Sequence, residues 1–333
     1  MYHKLQDIPY FGVDRRNINQ LDISSVDHEM LDLFLYYISE RYTIHIKKDV
    51  NYEEPPWTKD PILRYYKFTN VCREHDRNTM WLINAVVGNN DLSYTSKLAN
   101  ATLFRIFNKI ETAKLLQIPI SNIRSLDPIK LAEKVEPQLT DTPWTGAYLC
   151  SATKRYFRQY TGTDSDIESV LMVVQELFED PYWKRTAYTP YADPAEVIDK
   201  LQKYPGISDF LAYQLFVDFT YIKEFPFSEN EFTIAGVGAV SGLKLLFGGT
   251  KRKTGCTPEE LIFWLRDNWN RLNKYNLDCG GKHTVKPKSL MQDLPENDRI
   301  MNVMRIENCL CEFSKYYKAK FDLGRPRKRY TGG

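Results

Sequence analysis

The chain has 333 residues, of which 43% are hydrophobic and 26% charged, enough for a sizeable buried core, so disordered and fibrous classes are excluded. Its 45 Lys and Arg against 43 Asp and Glu leave a formal net charge of only +2, so bulk charge does not by itself require a nucleic-acid partner. The apolar runs are far shorter than the roughly 20 residues of a membrane-spanning helix, and the N-terminal residues lack an apolar leader. We therefore expect a cytoplasmic protein without a membrane partner, whose six cysteines are mostly buried free thiols.

Helical periodicity dominates the sequence, which predicts an all-α fold. The apolar spacing over 27–47 predicts a first helix, although 42–50 is also the best strand prediction and competes with the end of that helix. Pro61 fits the first turn of a second helix and Gly88 ends it, which predicts one continuous helix over 61–87. Further helices are predicted at about 93–116, 128–135, 142–160, 164–179, 193–204, 208–222, 257–275 and 296–320, the one at 257 opened by a capping box.

The predicted organisation is an N-terminal helical segment at 1–48, a helical catalytic region at 49–323 and a basic tail at 324–333. The catalytic region is either one body or two interlocked helical subdomains. Positive charge concentrates in two short clusters, for which DNA phosphate binding and simple solubility are equally good explanations. The residues of these clusters are Lys251, Arg252, Lys253, Arg327, Lys328 and Arg329.

The predicted helix at 61–87 carries the densest polar stretch. Its apolar face would contain Phe68, Val71, Cys72, His75 and Leu82, which places His75 in the core. The opposite face would contain Tyr66, Asn70, Arg73 and Arg77. Two arginines four residues apart on a helix repel each other unless an anion or a carboxylate lies between them. The pair therefore indicates either a bound phosphate or a structural salt bridge to Glu74, Asp76 or a more distant carboxylate.

The segment 203–212 contains Pro205-Gly206 and resembles a helix-hairpin-helix hairpin, in which backbone amides hold a DNA phosphate. Ser208 stands where a second glycine is usual, and a plain turn is the alternative. Phe210 occupies the position of the catalytic lysine of lyase-type glycosylases, which argues against lyase activity, while Glu229 or Glu231 could supply the acid.

The helix predicted at 208–222 carries Gln214, Asp218 and Tyr221 on one face. An amide and a carboxylate placed together can read a base edge or accept a proton, and a capped surface face is the alternative.

The glycines at 236, 238 and 242 are one residue off a dinucleotide fingerprint and lie outside any βαβ pattern, which argues against a Rossmann site. They would either expose amides to a pyrophosphate or allow close helix packing. The absence of G-x-x-x-x-G-K-[ST] from the sequence excludes a P-loop kinase site.

Several blocks together resemble the α-glutamyl/putrescinyl thymine pyrophosphorylases, a family related to the helical domain associated with 5-hydroxymethyldeoxyuridine DNA kinases. The resemblance covers about 50–330. It departs from the family pattern at Cys72, Val237 and Ser314, which leaves the choice of substrate open. The matching blocks are 56–63, 66–77, Arg105-Ile106-Phe107-Asn108, Gly146-Ala147-Tyr148, Phe210-Leu211-Ala212-Tyr213-Gln214 with Asp218, Gly236-Val237-Gly238-Ala239 with Gly242, and 306–316.

The resemblance implies a bacteriophage enzyme with a helix-hairpin-helix DNA-glycosylase-like helical fold. Such an enzyme acts on double-stranded DNA in which a DNA kinase has pyrophosphorylated 5-hydroxymethyluracil, and an amino acid or polyamine displaces the pyrophosphate. A base-excising glycosylase and a non-catalytic DNA-binding subunit of the kinase system are the alternatives. Magnesium would assist the leaving group, but the sequence contains no metal-ligand motif, so no cofactor is assigned.

This chemistry requires a flipped base, cations for the leaving group and a proton acceptor for the amine. The expected proton acceptor is Asp218, followed by Glu312 and Glu231. The expected pyrophosphate ligands are Lys67, Arg73 and Arg77, and the expected base-binding residues are Asn70, Gln214 and Tyr148. The expected DNA contacts are Gly206, Ser208 and the two basic clusters.

Overall fold

The computed structural model describes residues 11–147, 151–187, 193–249, 251–326 and 329–330, and gives only the backbone of Ser151, Lys251 and Arg252. The described residues form helices, turns and irregular segments, and their one bridged backbone pair joins Tyr66 to Arg329. The all-α prediction is therefore confirmed for the described part of the chain.

The chain divides into two compact units. One, here the terminal unit, consists of Met1–Arg73 and Glu229–Gly333, and the other, the central unit, is Glu74–Ser228.

The terminal unit is built around two 18-residue helices, α2 and α18, whose aromatic side chains meet in its core. Phe34 of α2 lies with its ring centroid 5.1 Å from that of Phe313, and Tyr37 lies 5.2 Å from Tyr316. Each fully buried aromatic side chain contributes about 2–3 kcal/mol by leaving water. The helices of this unit are α1 Arg15–Gln20, α2 His28–His45, α3 Pro61–Tyr65, α13 Val237–Phe247, α14 Lys251–Thr254, α15 Pro258–Asp267, α16 Trp269–Asp278, α17 Pro287–Leu290 and α18 Val303–Lys320.

The central unit packs its other helices around α5, which is buried along nearly its whole length. Helices α9 and α12 both contact α5, and Trp81 stacks on Phe104 at 4.6 Å between ring centroids. The helices of this unit are α4 Arg77–Leu82, α5 Tyr94–Phe107, α6 Ile110–Leu115, α7 Pro128–Val135, α8 Ser151–Thr161, α9 Asp166–Leu177, α10 Pro181–Thr186, α11 Pro194–Gln202 and α12 Asp209–Thr220.

The continuous helix predicted at 61–87 is wrong. Asp60 caps α3 by accepting from the amides of Ile62 and Leu63, and α3 ends at Tyr65. The chain is then extended from Tyr66, and Asp76 caps the separate helix α4. Each aspartate accepts hydrogen bonds from free amides at the start of a short helix. This capping stabilises two short helices in place of one long helix.

Several other predicted boundaries also change. The strand alternative at 42–50 is wrong, because α2 continues to His45 and Ile46–Val50 follows as a π-helical turn. The helix predicted at 93–116 breaks at Asn108, which has a left-handed φ of 50°. The helix predicted at 257–275 breaks at Asn268, although its capping box at Thr257 and Glu260 is confirmed.

Two further predicted helices start later than expected. Of the one at 142–160, residues 142–147 are turns and irregular chain and the described helix is Ser151–Thr161, while the one at 164–179 is capped by Ser165. Helix α7, at Pro128–Val135, has the predicted bounds.

The glycines of α13 allow it to pack closely against α18. A Cβ at Gly238 would overlap the Cys311 side chain, and a Cβ at Gly242 would overlap the backbone carbonyl of Leu310. Of the two roles considered for these glycines, close helix packing is therefore the one that the structure supports.

The five cysteines in the described residues are free thiols, three of them buried, and Cys150 lies outside these residues. Within the described chain, no helix has the length and apolarity needed to cross a membrane.

Candidate functional site

The extended segment that follows α3 is held in place by side chains of α2 and α18. Arg41 donates from Nε and Nη2 to the carbonyl oxygen of Phe68, at 3.3 and 3.2 Å, and Nη2 also donates to Oδ1 of Asn70. Asn308 of α18 donates from Nδ2 to the backbone oxygen of Asn70 at 2.8 Å. Asn70, one of the expected base-binding residues, is thus fixed by its backbone and its side chain.

Glu312 lies where this segment meets α18. Its Oε2 accepts from the backbone amide of Thr69 at 3.2 Å, and its Oε1 accepts from Nζ of Lys315 at 2.5 Å. The Thr69 hydroxyl donates to Oδ1 of Asn308 at 3.2 Å. The segment 66–73 and the block 306–316 therefore meet in the terminal unit, which brings Asn70 and Glu312 of the expected site residues into one cluster.

A second buried carboxyl lies one and a half turns before Glu312 on α18. Glu307 is only 9% exposed, and its Oε1 accepts from the backbone amide of Gly236, the capping residue of α13, at 3.2 Å. Burial raises the pKa of Glu307 to about 7, against the lowering effects of the Gly236 amide, Arg73 and Lys315. A carboxyl with its pKa near neutrality can both take up and release a proton under ordinary conditions.

Glu307 was not among the predicted site residues, although it belongs to the block 306–316. The sequence signal that could have found it is the combination of that block with the glycines at 236–242. Its burial depends on how closely α13 approaches α18, which periodicity alone does not reveal.

The three expected pyrophosphate ligands have different environments. Arg73 is buried, Lys67 is exposed, and the side chain of Arg77 is 80% exposed. Arg77 is the first residue of α4 and lies 3.6 Å from Glu111, a more distant carboxylate than Glu74 or Asp76. The shared helix face proposed for Arg73 and Arg77 is wrong, because the helix ends before Arg73.

His75, which that helix would have placed in the core, is only partly buried in the short 3₁₀ turn Arg73–His75.

The central unit contains a buried ion pair around Asp218. Arg105 donates from Nε to Oδ2 of Asp218 at 2.6 Å and from Nη2 to Oδ1 at 2.8 Å, and both residues are almost fully inaccessible. The same guanidinium donates to Oδ1 of Asn108 and to the hydroxyl of Thr79. A bidentate buried pair of this kind holds α12 against α5.

The polar face expected on α12 is therefore not a surface face. Gln214 is buried as well as Asp218, and Tyr221 is partly buried at the end of the helix. Glu231, the third expected proton acceptor, is buried in the terminal unit. Tyr148 lies outside the described residues.

The hairpin at Pro205-Gly206 has a geometry that requires glycine. Gly206 has a φ of 103°, and a Cβ there would lie 3.0 Å from the backbone oxygen of Thr153. Ser208 precedes α12 without a side-chain capping bond, so the first-turn amides of α12 are not capped by its hydroxyl.

The two predicted basic clusters are only partly described. Lys253 is exposed. Arg329 lies over the rings of Tyr65 and Tyr66, at 4.9 and 6.0 Å. The side chains of Lys251 and Arg252, and all of Arg327 and Lys328, lie outside the described part of the chain.

A cavity of about 590 Å³ lies in the central unit between α7, α8 and α9, and its lining contains none of the expected site residues. Its walls include the carboxylates of Asp127, Glu176 and Glu179 beside Tyr160 and Met172. Three acidic groups make this cavity a poor receptor for pyrophosphate or for a DNA backbone.

These features define a protein whose described residues are helical, with one group of buried ionisable residues between α2, α13 and α18 and another between α5 and α12. The family described as "5-hmdU DNA kinase, helical domain" matches residues 28–324. The chain belongs to this family. A curated relative, the 5-hmdU DNA kinase of Bacillus phage SP10, is 22% identical over 324 residues, which cover 93% of this chain and 48% of the relative.

The chain thus spans about half the length of that relative. The expected relationship to the kinase-associated helical domain is confirmed. No solved structure was found to match the chain.

Proposed function

We propose that the protein acts in thymine hypermodification, as a transferase that uses an amine to displace pyrophosphate from 5-pyrophosphoryloxymethyluracil in DNA. The nitrogen lone pair forms a bond to the exocyclic carbon while the carbon–oxygen bond breaks, and its electrons leave with the pyrophosphate. The amine is supplied by an amino acid or a polyamine. This is the activity that the resemblance to the α-glutamyl/putrescinyl thymine pyrophosphorylases implies.

The observation that carries the proposal is the cluster in the terminal unit where the segment 66–73 meets 306–316. It combines two buried carboxyls with cationic side chains, and the reaction needs both a proton acceptor and cations for a departing anion. We assign Arg73, Lys67 and Lys315 to the pyrophosphate. Arg73 and Lys315 act on the Glu307 carboxyl, and the exposed Lys67 lies six residues before Arg73 on the segment that follows α3. Arg77 remains a further expected ligand.

Base recognition is assigned to Asn70, with Gln214 and Tyr148 as further expected contacts. Arg41 binds the side-chain oxygen of Asn70 and Asn308 binds its backbone oxygen, which holds the residue in one orientation, as a residue that reads a base edge requires. Asp218 is better suited to positioning than to proton transfer, because both of its oxygens are held by Arg105.

The DNA substrate is inferred from the family. The relative from phage SP10 is named as a kinase of 5-hmdU DNA, and this chain has no P-loop motif in its sequence. We therefore propose that a separate kinase activity prepares the DNA on which this protein acts. The hairpin at Gly206 and Ser208 would contact the DNA backbone through the amides at the start of α12, with the basic clusters as further contacts.

The test is to incubate the full chain with kinase-treated 5-hydroxymethyluracil DNA and, separately, with putrescine, spermidine, glutamate or glycine. The expected result is a heavier nucleoside after digestion, with release of pyrophosphate that depends on the amine. Parallel reactions with and without magnesium determine whether the leaving group needs a metal. Free base with abasic sites would identify a glycosylase, and DNA binding without any product would identify a non-catalytic subunit.

A further inference from the structure

We infer that Glu307 is the residue that takes the proton from the amine nucleophile, an inference that rests on the transferase activity proposed above. Glu307 is buried between α18 and the first turn of α13. Among the described residues, the one hydrogen bond to its carboxyl comes from the amide of Gly236, to Oε1. Its second oxygen, Oε2, is left to accept a proton.

Two of the carboxyls expected for this role, Glu312 and Asp218, are more fully engaged. Both oxygens of Glu312 accept hydrogen bonds, from Thr69 and Lys315. Both oxygens of Asp218 accept from Arg105 in the central unit. A carboxylate that already holds strong donors on both oxygens is a weak proton acceptor, because those donors stabilise its charged form.

The electrostatic surroundings of Glu307 balance two opposing effects. Burial raises its pKa to about 7, and Glu312 acts in the same direction. Its pKa is lowered by the Gly236 amide, Arg73 and Lys315, which keep the ionised form of Glu307 accessible. A proton acceptor works best with its pKa near the working pH, a condition that an ordinary exposed glutamate does not meet.

The residues around Glu307 also form an edge that is open to solvent. On α18, Asn308 and Cys311 are partly exposed and Lys315 is half exposed, and the three share one face at helical spacing. Across from them, Val237 at the start of α13 is 87% exposed. A small amine can therefore approach from this edge.

The proposed step balances as follows. An alkylammonium gives one proton to the Glu307 carboxylate and becomes a neutral amine. The amine then forms its bond to the exocyclic carbon as pyrophosphate leaves with the electrons of the carbon–oxygen bond. Glu307 returns its proton to solvent through the open edge before the next turnover.

The test compares Glu307→Gln with Glu259→Gln in the transfer assay, over pH 6 to 10. Glu259 is a matched control, because its Oε1 accepts from the amide of Ala235 at 3.0 Å, the neighbour of the amide that binds Glu307. Glu307→Asp serves as the conservative variant. Circular dichroism and thermal melting establish that each variant is folded.

We expect Glu307→Gln to lower kcat on the order of a hundredfold at pH 7 and to recover towards pH 10, where the amine is already neutral. Glu307→Asp should regain part of the activity, and Glu259→Gln should resemble the wild type. Wild-type kcat in folded Glu307→Gln, or an equal loss at every pH, would overturn the role of Glu307 and leave the transferase intact. A wild-type protein that forms no transfer product would instead overturn the proposed function, and this inference with it.

Discussion

Replacing Glu307 by Gln is predicted to change how the stability of the protein depends on pH. In the folded protein burial raises the pKa of Glu307 to about 7 from an ordinary value of 4.5. The folded state therefore holds the proton more tightly than the unfolded chain does. The stabilisation that comes from this tighter proton binding at Glu307 is complete below pH 4.5 and is lost as the pH rises through about 7.

The size of this effect follows from the two pKa values. At about 1.4 kcal/mol per pKa unit, the difference between about 7 and 4.5 corresponds to about 3 kcal/mol. Glutamine stays neutral and keeps an oxygen that can accept from the Gly236 amide. Glu307→Gln should thus match the wild type at acidic pH and exceed its stability by about 3 kcal/mol above pH 7.5.

The assay is urea denaturation of the wild type and of Glu307→Gln at several pH values between 4 and 8. Every other titrating group is common to both proteins, so the difference between their free energies of unfolding isolates Glu307. Glu259→Gln serves as the control and should show no such difference. Parallel curves for the wild type and Glu307→Gln over the whole range would refute the raised pKa.

Three further variants, one of them with a matched control, test other parts of the structure. Asp218→Asn should lower the free energy of unfolding by about 3 kcal/mol, because Arg105 is left buried without its counter-charge; an unchanged urea midpoint would show that the ion pair is not structural. Gly242→Ala should lower the free energy of unfolding by about 1–3 kcal/mol, because the added Cβ clashes with α18. The control is Gly146→Ala. Its Cβ would enter open space, so it should change the free energy of unfolding by less than about 0.5 kcal/mol. Arg77→Ala should also change the free energy of unfolding by less than about 0.5 kcal/mol, because the ion pair of Arg77 is exposed. A loss of transfer activity in this folded variant would therefore report pyrophosphate binding. Unchanged transfer activity would remove Arg77 from the site.

Local signals in the sequence predicted the helical content well. The proline at the start of α7 and the capping box at the start of α15 both determine helix starts through bonds between near neighbours. Such signals depend on a few adjacent residues and hold regardless of tertiary context.

The polar stretch at 61–87 shows where such reasoning fails. Both Asp60 and Asp76 are capping residues, so the segment between them could be one helix or two short helices joined by extended chain. The outcome depends on Arg41, Asn308 and Glu312, which lie far away in sequence and bind the extended backbone. Tertiary hydrogen bonds of this kind override helical periodicity.

The candidate site was predictable only in part, for the same reason. Glu312 was expected from its sequence block, and the structure brings it to the segment that contains Asn70. Neither the pairing of Asp218 with Arg105 nor the burial of Glu307 can be inferred from spacing, because both depend on which helices pack together.

The central proposal is that this protein joins an amine to a thymine-like base in DNA. The most direct measurement uses putrescine or glutamate labelled with nitrogen-15, kinase-treated 5-hydroxymethyluracil DNA and the full chain, followed by nucleoside mass spectrometry. The account predicts a nucleoside that carries the nitrogen label, formed together with one pyrophosphate per modified base. Unlabelled nucleosides under every condition, with the pyrophosphorylated base intact or released as free base, would contradict it.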